Sequence, residues 1–495
     1  MIRLFIFSFI CFSQSVYSQG DTLVVSLQQT IEMAQLGGPE VKIAQTSFSN
    51  SYWFHQSFLA NYRPQMVLSG TLPNLDRSIQ AITLPDGTLK FVGQSFMRND
   101  ISLNLNQGIP LTGGRLFAGT GLSRLDVFAS DNAPAFASYR STLISVGFIQ
   151  PLFGFNNLKW AKKVQPLRYE ESRRNYSENL EQVAYEAANL FFDVLVAQIN
   201  LEAAQRDKAN SDTLFVISKG RFDVGRIAEV ELLQIELRVM DAEADLAQSM
   251  LNLQTSTERL RDFLGIQGVV NFKMIPPSEI PEFMVDAEKA LDFARRYRSE
   301  SVGYDRRLEE AKSDVAEAQA NRGLNVDLSF SFGLSQSGET LNQALSDPLD
   351  QEQFQLSLNV PIADWGKSKA DMQIALSTEE LIRLQVDQDR INFEREIIIR
   401  VQQFDLVRQQ VNRALKSYEI AQKRLDITRK RYRIGNILVT DLNQAIQEEA
   451  NSRRSYMNAL RSYWLAYYDL RRLTLYDFEN NQALVRKAED VVRGR

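Results

Sequence analysis

A short motif occurs twice in the chain and constrains the fold more than any other feature. Residues 217–227 read Ile-Ser-Lys-Gly-Arg-Phe-Asp-Val-Gly-Arg-Ile, and residues 427–437 read Ile-Thr-Arg-Lys-Arg-Tyr-Arg-Ile-Gly-Asn-Ile. A shift of 210 positions superposes Gly225 on Gly435. Solenoid repeats have periods of roughly 20 to 50 residues, so this much longer spacing predicts an internal duplication of a whole domain.

Long helical patterns lead into both copies of the motif and out of them again. The four runs are residues 157–218, 228–264, 366–433 and 438–475. In the two incoming runs, apolar residues recur at alternating spacings of four and three, which is typical of a coiled-coil seam. The seam positions are Val183, Ala187, Leu190, Val194, Ala197, Leu201 and Ala204, and then Phe404, Val407, Val411, Ala414, Tyr418, Ala421 and Leu425. A run of about sixty residues makes roughly 90 Å of helix, which exceeds what a globular domain needs.

Between the helices, the apolar pattern changes to a period of two. Alternation appears at residues 64–72, 142–148, 324–335 and 353–361, with one apolar face and one small or polar face. Such strands are typical of membrane β-barrels, and a half-buried strand of a soluble sandwich has the same period. The strand length and the secretory leader described next favour the membrane.

The segment 73–140 is an insert that only the first copy carries. It holds an alternating run from Ile101 to Leu105, a Gly113–Gly114 turn and a second run that ends at Phe128. Two interpretations are open, an extracellular loop hairpin or an additional membrane hairpin, and we favour the loop.

Residues 1–18 predict a secretory signal peptide, because Arg3 precedes an apolar core and a small-residue cleavage site ends at Ser18. The only cysteine, Cys11, lies within it, so we expect a mature chain without thiols or disulfides. No later segment has the run of about eighteen apolar residues that a membrane helix needs. We therefore expect an exported protein that is either soluble or a membrane β-barrel.

These patterns divide the chain into a leader, two repeats, a connector and a tail. The predicted bounds are 1–18 for the leader, 19–265 for the first repeat, 266–284 for a proline-broken connector, 285–475 for the second repeat and 476–495 for a polar, loosely attached tail. The tips of the two helical hairpins fall near residues 225 and 435.

Composition and residue types exclude several classes of function. With 56 Lys+Arg against 61 Asp+Glu, the chain has no basic excess that would indicate a nucleic-acid partner. His55 is the only histidine, so it has no second histidine or mature cysteine with which to form a metal site. We find no nucleophile–base pair and no phosphate-binding loop, and we therefore expect no enzyme activity, no cofactor and no metal.

The chain resembles the TolC family of outer-membrane efflux proteins. The resemblance is most specific at residues 221–234 and 431–444, and the strand-exit runs at 150–154 and 360–366 agree with it. It implies a mixed fold of α-helices and transmembrane β-strands, in which a long antiparallel coiled-coil α-helical barrel is continuous with a trimeric membrane β-barrel. Each of three copies would lend four strands and four long helices, in the outer membrane of a Gram-negative bacterium and extending into the periplasm.

The same resemblance implies partners and a function. The partners would be two further copies of the chain, outer-membrane lipid, a periplasmic adaptor protein and an inner-membrane transporter. The function would be passive exit for substrates of a tripartite efflux pump or a type I secretion system, gated at the periplasmic helical tips. The alternative is a periplasmic coiled-coil structural or adaptor protein without a membrane barrel.

Carried over residue by residue, the resemblance also implies site residues. Gly225 and Gly435 would be the tip glycines, and Arg221 and Arg431 beside them would belong to the adaptor-docking tips. Tyr432 would tie its coiled coil to an acidic residue of the other hairpin, here Glu231.

Asp441 would form an acidic ring that constricts the pore and favours cations. The chain departs from the family at Gln444 and Ile437, so a single acidic ring and a weaker lock are expected. Each role has a plainer alternative: Asp441 and Glu231 complement a helix dipole, Tyr432 packs in the seam, and the glycines only end helices.

Overall fold

The fold is described from a computed structural model over residues 22–83, 85–129, 134–277, 280–434 and 439–485. The predicted leader at 1–18 and the last ten residues of the predicted tail lie outside these ranges. By its internal contacts the chain divides into two compact units. The first comprises the residues up to 49, 172–301 and those from 391, and the second comprises residues 50–171 and 302–390.

The elements follow one another in an order that alternates helical and extended segments. They are β1 (Thr22–Ser26), α1 (Leu27–Gly37), α2 (Pro39–Ala60), β2 (Gln65–Thr83), β3 (Leu89–Gly108), β4 (Arg115–Val127), β5 (Phe136–Pro151), α3 (Asn157–Asp223), α4 (Glu229–Leu264), β6 (Asn271–Ile275), α5 (Ala287–Tyr297), α6 (Ser299–Asn321), β7 (Asn325–Gly338), α7 (Leu341–Leu345), β8 (Leu349–Asn359), α8 (Lys367–Arg433), α9 (Val439–Thr474), β9 (Tyr476–Asp477) and β10 (Gln482–Ala483).

The second unit is built around one antiparallel sheet of six strands. Its order is β2-β3-β4-β5-β7-β8, so strands from both halves of the chain meet where β5 pairs with β7. The rings of Phe148 and Phe330 lie across this junction with their centroids 6.0 Å apart. Alternation at 142–148, 324–335 and 353–361 thus predicted real strands, although β7 and β8 begin and end a few residues from the expected bounds.

The insert at 73–140 supplies two full strands of this sheet, β3 and β4. They are paired with each other and with β2 and β5 on either side. The turn between them is where the sequence placed it: Gly113 has a φ of +77°, and Ile109 and Gly114 are hydrogen-bonded across the turn. The alternation predicted the hairpin itself, but it does not reveal which other strands the hairpin pairs with. The chain therefore has six strands in the sheet, where the family resemblance implied four.

In the first unit, the short strands β1 and β6 and the helices α1 and α3 bring distant parts of the chain into contact. Ser26 caps α1 and forms a capping box with Gln29. Strand β1 runs parallel to β6, which lies inside the predicted connector. Gln198 of α3 holds this pair: its side-chain amide donates to the carbonyl of Phe272 and accepts from the backbone N–H of Met274 at 3.1 Å. The connector is thus partly a strand, which its prolines concealed.

The two longest helices, α3 and α8, have 67 residues each, and α4 and α9 have 36 each. Much of the predicted seam is buried. In α3 the buried members are Val183, Ala187, Leu190, Val194 and Ala197, and in α8 they are Phe404, Val411 and Leu425. The remaining seam positions are half-buried. Burial of one stripe, with a seam residue about once in every helical turn, is what the coiled-coil spacing predicts.

Part of the predicted polar tail is packed, contrary to the expectation of loose attachment. Asp477 is buried, and Tyr476 stacks on Phe293 with a centroid distance of 3.8 Å. Strand β9 pairs with β10 to close the segment. The cause is aromatic and hydrogen-bonded packing onto α5 and α9, which a mainly polar composition does not reveal.

Among the helices in the described ranges, none combines the length and the apolar character needed to cross a membrane.

Candidate functional site at the helical hairpin turns

The first candidate turn joins α3 to α4 and contains Gly225. Its backbone has a φ of +69°. The N–H of Gly225 donates to the carbonyl of Phe222, and the N–H of Arg226 donates to that of Arg221, each at 2.8 Å. These two bonds form a Schellman motif, which ends a helix with a residue in the left-handed region. A Cβ at Gly225 would meet nothing within 4 Å, so glycine is favoured here by its backbone conformation and not by lack of space.

Helix α4 begins without a side-chain cap, because Ala228 stands at the capping position. Two acidic residues, Glu229 and Glu231, lie in its first turn. Glu231 is exposed, and its backbone N–H donates to the carbonyl of Ala228 at 3.1 Å. Negative charge in a first turn complements the partial positive charge of the helix N-terminus, so this part of the plainer alternative fits the geometry.

The second candidate turn lies between α8 and α9. Gly435, the predicted second tip glycine, and Ile437 lie outside the described residues, and so does the side chain of Tyr432. Asp441 is in the first turn of α9 and is exposed. Under the 210-residue shift it is the counterpart of Glu231, so both hairpins place a carboxylate at the same point of the outgoing helix.

Asp441 borders a groove between the end of α8 and the start of α9. The groove is lined by Ile420, Lys423, Arg424, Ile427, Thr428, Arg431, Asp441 and Gln444. Thus Arg431 and Asp441, which were predicted for different roles, line the same groove. Arg221 is exposed at the other turn.

Three of the residues that line the groove are basic, Lys423, Arg424 and Arg431, and the sequence analysis had assigned a role only to Arg431. Arg424 forms an ion pair with Glu448 of α9, and Gln444 donates to the same carboxylate at 3.0 Å. Lys423, Ile427 and Arg431 are spaced by four residues and so fall on one helix face. The spacing of four is a signal that the sequence itself carries. The groove therefore presents both signs of charge to an ion or to a partner.

Farther along the same helices, a buried ionic cluster fixes α9 against α3. Arg471 donates two hydrogen bonds to Glu181, at 2.9 and 3.2 Å, and lies 3.4 Å from Asp477. The guanidinium also lies over the rings of Tyr467 and Tyr468. Removing one partner would leave an uncompensated buried charge, which is strongly destabilising, so this cluster holds α9 against α3.

The described residues hold no group of acidic, histidine or cysteine side chains that suits a metal ion. His55 stacks on Tyr169 with centroids 4.5 Å apart, and burial lowers the pKa of its imidazole. It is therefore an aromatic packing residue of α2.

The chain belongs to the outer membrane efflux protein family, whose model matches residues 116–266 and 305–474. Membership places the protein in the outer membrane of a Gram-negative bacterium, with an extension into the periplasm, and in a family of channels and not of enzymes.

Two relatives are similar in sequence. Outer membrane protein TolC of Vibrio cholerae is 22% identical over 358 residues, which are 69% of this chain and 78% of that protein. Nodulation protein T of Rhizobium leguminosarum bv. trifolii is 22% identical over 281 residues, or 56% of this chain. The match spans 59% of the length of nodulation protein T.

Solved structures share the fold. The CmeC outer membrane channel of Campylobacter jejuni has a TM-score of 0.65 at 15% identity, covering 94% of this chain and 88% of that one. The outer-membrane channel OprN has a TM-score of 0.62 at 15% identity, with 90% and 89% covered. The open state of the MtrE channel of Neisseria gonorrhoeae has a TM-score of 0.57 at 14% identity, with 90% and 88% covered.

Proposed function

We propose that three copies of this chain form a passive exit channel in the outer membrane, which serves a tripartite efflux pump or a type I secretion system. The observation that carries the proposal is one sheet with an apolar face and a small, polar face, in a chain of an outer membrane efflux family. A strand of a membrane barrel faces lipid on one side and water on the other. The apolar face of this sheet suits lipid, and its small, polar face suits water.

The long helices support the rest of the proposal. At 1.5 Å per residue, 67 residues make about 100 Å of helix along its own path. Two such hairpins per chain supply the wall of a periplasmic duct. A channel of this kind has no nucleotide site or proton relay of its own, so we assign the energy of transport to an inner-membrane partner.

We place the gate and the docking surface at the hairpin turns. Glu231, Tyr432 and Asp441 are the proposed gate and constriction residues, because they lie at or beside the ends of the helices. Gly225, Gly435, Arg221 and Arg431 are the proposed tip residues that a periplasmic adaptor contacts. The exposed arginines and carboxylates offer it a polar surface of mixed charge.

The competing function is a periplasmic spacer without a membrane domain. Such a protein needs the coiled coils but not a six-stranded sheet that leaves Met66, Leu68 and Phe354 exposed. Membership of the outer membrane efflux family also argues against it.

Membrane fractionation separates the two functions. The full-length protein, expressed in a Gram-negative host, should sediment with outer membranes and migrate as a trimer in unboiled samples. A variant without residues 64–151 and 324–361 is the matched control and should appear in the soluble periplasm. Recovery of the intact protein in the soluble periplasm would contradict the channel.

A further inference from the structure

The inserted strands β3 and β4 have the same two faces as the rest of the sheet. The paired residues form rows that cross all six strands. One row is Met66, Leu105, Ala118, Val146, Phe332 and Glu352, and the neighbouring row on the other face is Val67, Asn104, Gly119, Ser145, Gly333 and Gln351. The first row is apolar up to its end at the sheet edge, and the second is small or polar after Val67.

A second apolar row strengthens the pattern on the same face. It runs through Leu116, Phe148, Phe330 and Phe354 of successive strands. The main exception on the opposite face is Phe117, whose Cζ lies 2.5 Å from where a Cβ on Gly147 would stand. The ring thus lies over a glycine and is accommodated within the wall. A hairpin in an extracellular loop is surrounded by water and does not need an apolar face in register with that of the membrane strands.

The sheet also leaves two edges that complement each other in direction. All its pairings are antiparallel, and it has an even number of strands. The first strand, β2, and the last, β8, therefore run in opposite directions. The outer edge of β2 can pair in antiparallel fashion only with a strand that runs as β8 does, and a second copy supplies one. In lipid such edges must be paired, because no water is present to satisfy their N–H and C=O groups.

We propose that the insert forms part of the membrane wall, and that β2 of one copy pairs with β8 of the next, so that three copies close a barrel of eighteen strands. The family resemblance implied twelve, as four from each copy. This inference rests on the trimeric channel proposed above and adds the strand count, the two pairing edges and the role of the insert.

The added strands widen the membrane section of the channel. With strands about 4.8 Å apart and tilted by about 40°, eighteen strands give a backbone diameter of roughly 36 Å, against roughly 24 Å for twelve. Barrels of that strand number enclose an aqueous lumen. The narrowest point for a solute then lies in the helical part, so the barrel does not select by size.

Site-directed spin labelling tests where the insert lies. Single cysteines would be placed by Leu105→Cys and Asn104→Cys on β3, with Phe332→Cys and Ser331→Cys on β7 as the matched pair. Cys11, inside the predicted leader, is the only native cysteine, so labelling of the unsubstituted protein gives the background. In liposomes, collision with oxygen reports lipid, and collision with a water-soluble nickel chelate reports water.

The labels on β3 should alternate as those on β7 do, with positions 105 and 332 in lipid and 104 and 331 in water. If positions 104 and 105 both contact water while 331 and 332 alternate, the insert is a loop and the eighteen-stranded barrel is wrong, although the channel stands. If positions 331 and 332 do not alternate either, the membrane sheet and the proposed channel both fail.

Disulfide formation provides a second, independent measurement. Val67→Cys with Asn104→Cys should cross-link, because β2 and β3 are neighbours and these residues are paired. Val67→Cys with Ser145→Cys should not, because three strand spacings, about 14 Å, separate β2 from β5. Efficient cross-linking of the second pair would show that β2 and β5 are neighbours in the membrane and would overturn the strand count.

Discussion

Leu68 on β2 stands directly opposite Leu103 on β3, so the insert extends the apolar face that begins on the strand before it. Leu68 is exposed on its edge strand, which leaves it available to lipid. This relationship supports the proposal that the insert is part of the membrane wall. The following expectations concern the helical part of the molecule and the channel as a whole.

Alanine at Gly225 and at Gly220 should change stability in opposite directions. Gly225→Ala puts a side chain at a φ of +69°, and the strain should lower the free energy of unfolding by about 1 kcal/mol. Gly220→Ala is the matched control: it lies in α3 with open space around its Cβ, and alanine should raise stability by about 0.5–1 kcal/mol. Thermal unfolding followed by circular dichroism checks both, and equal shifts of one sign would contradict the turn geometry.

Charge removal on the two sides of the groove should change ion selectivity in opposite directions. Asp441→Asn removes a carboxylate and should lower the preference for cations, because three copies around one axis act together. Lys423→Gln removes a positive charge from the same groove and should raise it.

Reversal potentials in a salt gradient measure both effects. The control is Asp426→Asn, a substitution of an exposed residue of α8 outside the groove lining, which should have little effect. If Asp441→Asn leaves the reversal potential unchanged, Asp441 only complements the dipole of α9.

Loss of the proposed lock should open the channel. The double variant Glu231→Gln with Tyr432→Phe removes a charge and a hydroxyl while keeping the volumes, so packing in the seam is preserved. If the residues hold the tips closed, unitary conductance or antibiotic leakage should rise. Glu229→Gln, in the same first turn of α4, is the control and should leave conductance unchanged. If the double variant has the same conductance as this control, Glu231 and Tyr432 do not gate the tips.

Glu178 should make stability depend on pH. Burial is the main cause that raises the pKa of its carboxyl; Arg298 lowers that pKa, and Glu300 raises it further. The pKa of this carboxyl is therefore higher in the folded than in the unfolded protein. Its contribution to the free energy of unfolding is fully present below the unfolded pKa, where the carboxyl is protonated, and is lost as pH rises through the folded pKa.

Glu178→Gln should therefore raise the melting temperature relative to the native protein at pH 7.5 and give little gain at pH 4. Gln can still accept the hydrogen bond that Ser299 N–H donates to this side chain at 2.6 Å. Glu186→Gln, a half-buried position of the same helix, is the control, and a gain that does not vary with pH would contradict the account.

Local sequence patterns predicted most of the long helices and strands. They did not predict which strands, distant in the chain, pair with one another. Alternation predicted β7, because that signal lies within a few residues. Strands β1 and β6 were missed because each is only five residues long and gains its order from pairing with the other. The pairing of the insert with β2 and β5 was missed for the same reason, since these strands come from either end of it.

The candidate site shows the same limit. The turn at Gly225 follows from the local motif, because a positive φ favours glycine. The lining of the groove beside Asp441 depends on which face of α8 packs against α9. The apolar seam pattern does not predict which charged residues lie on the neighbouring face. Lys423 and Arg431 are therefore assigned to the groove by the structure alone.

Conductance in planar lipid bilayers tests the central claim, a passive exit channel, most directly. The purified protein, added without any pump or nucleotide, should produce discrete and reproducible current steps, with larger steps for the Glu231→Gln, Tyr432→Phe double variant. Absence of steps above the bilayer leak for both proteins, in samples that are trimeric and inserted, would contradict the channel.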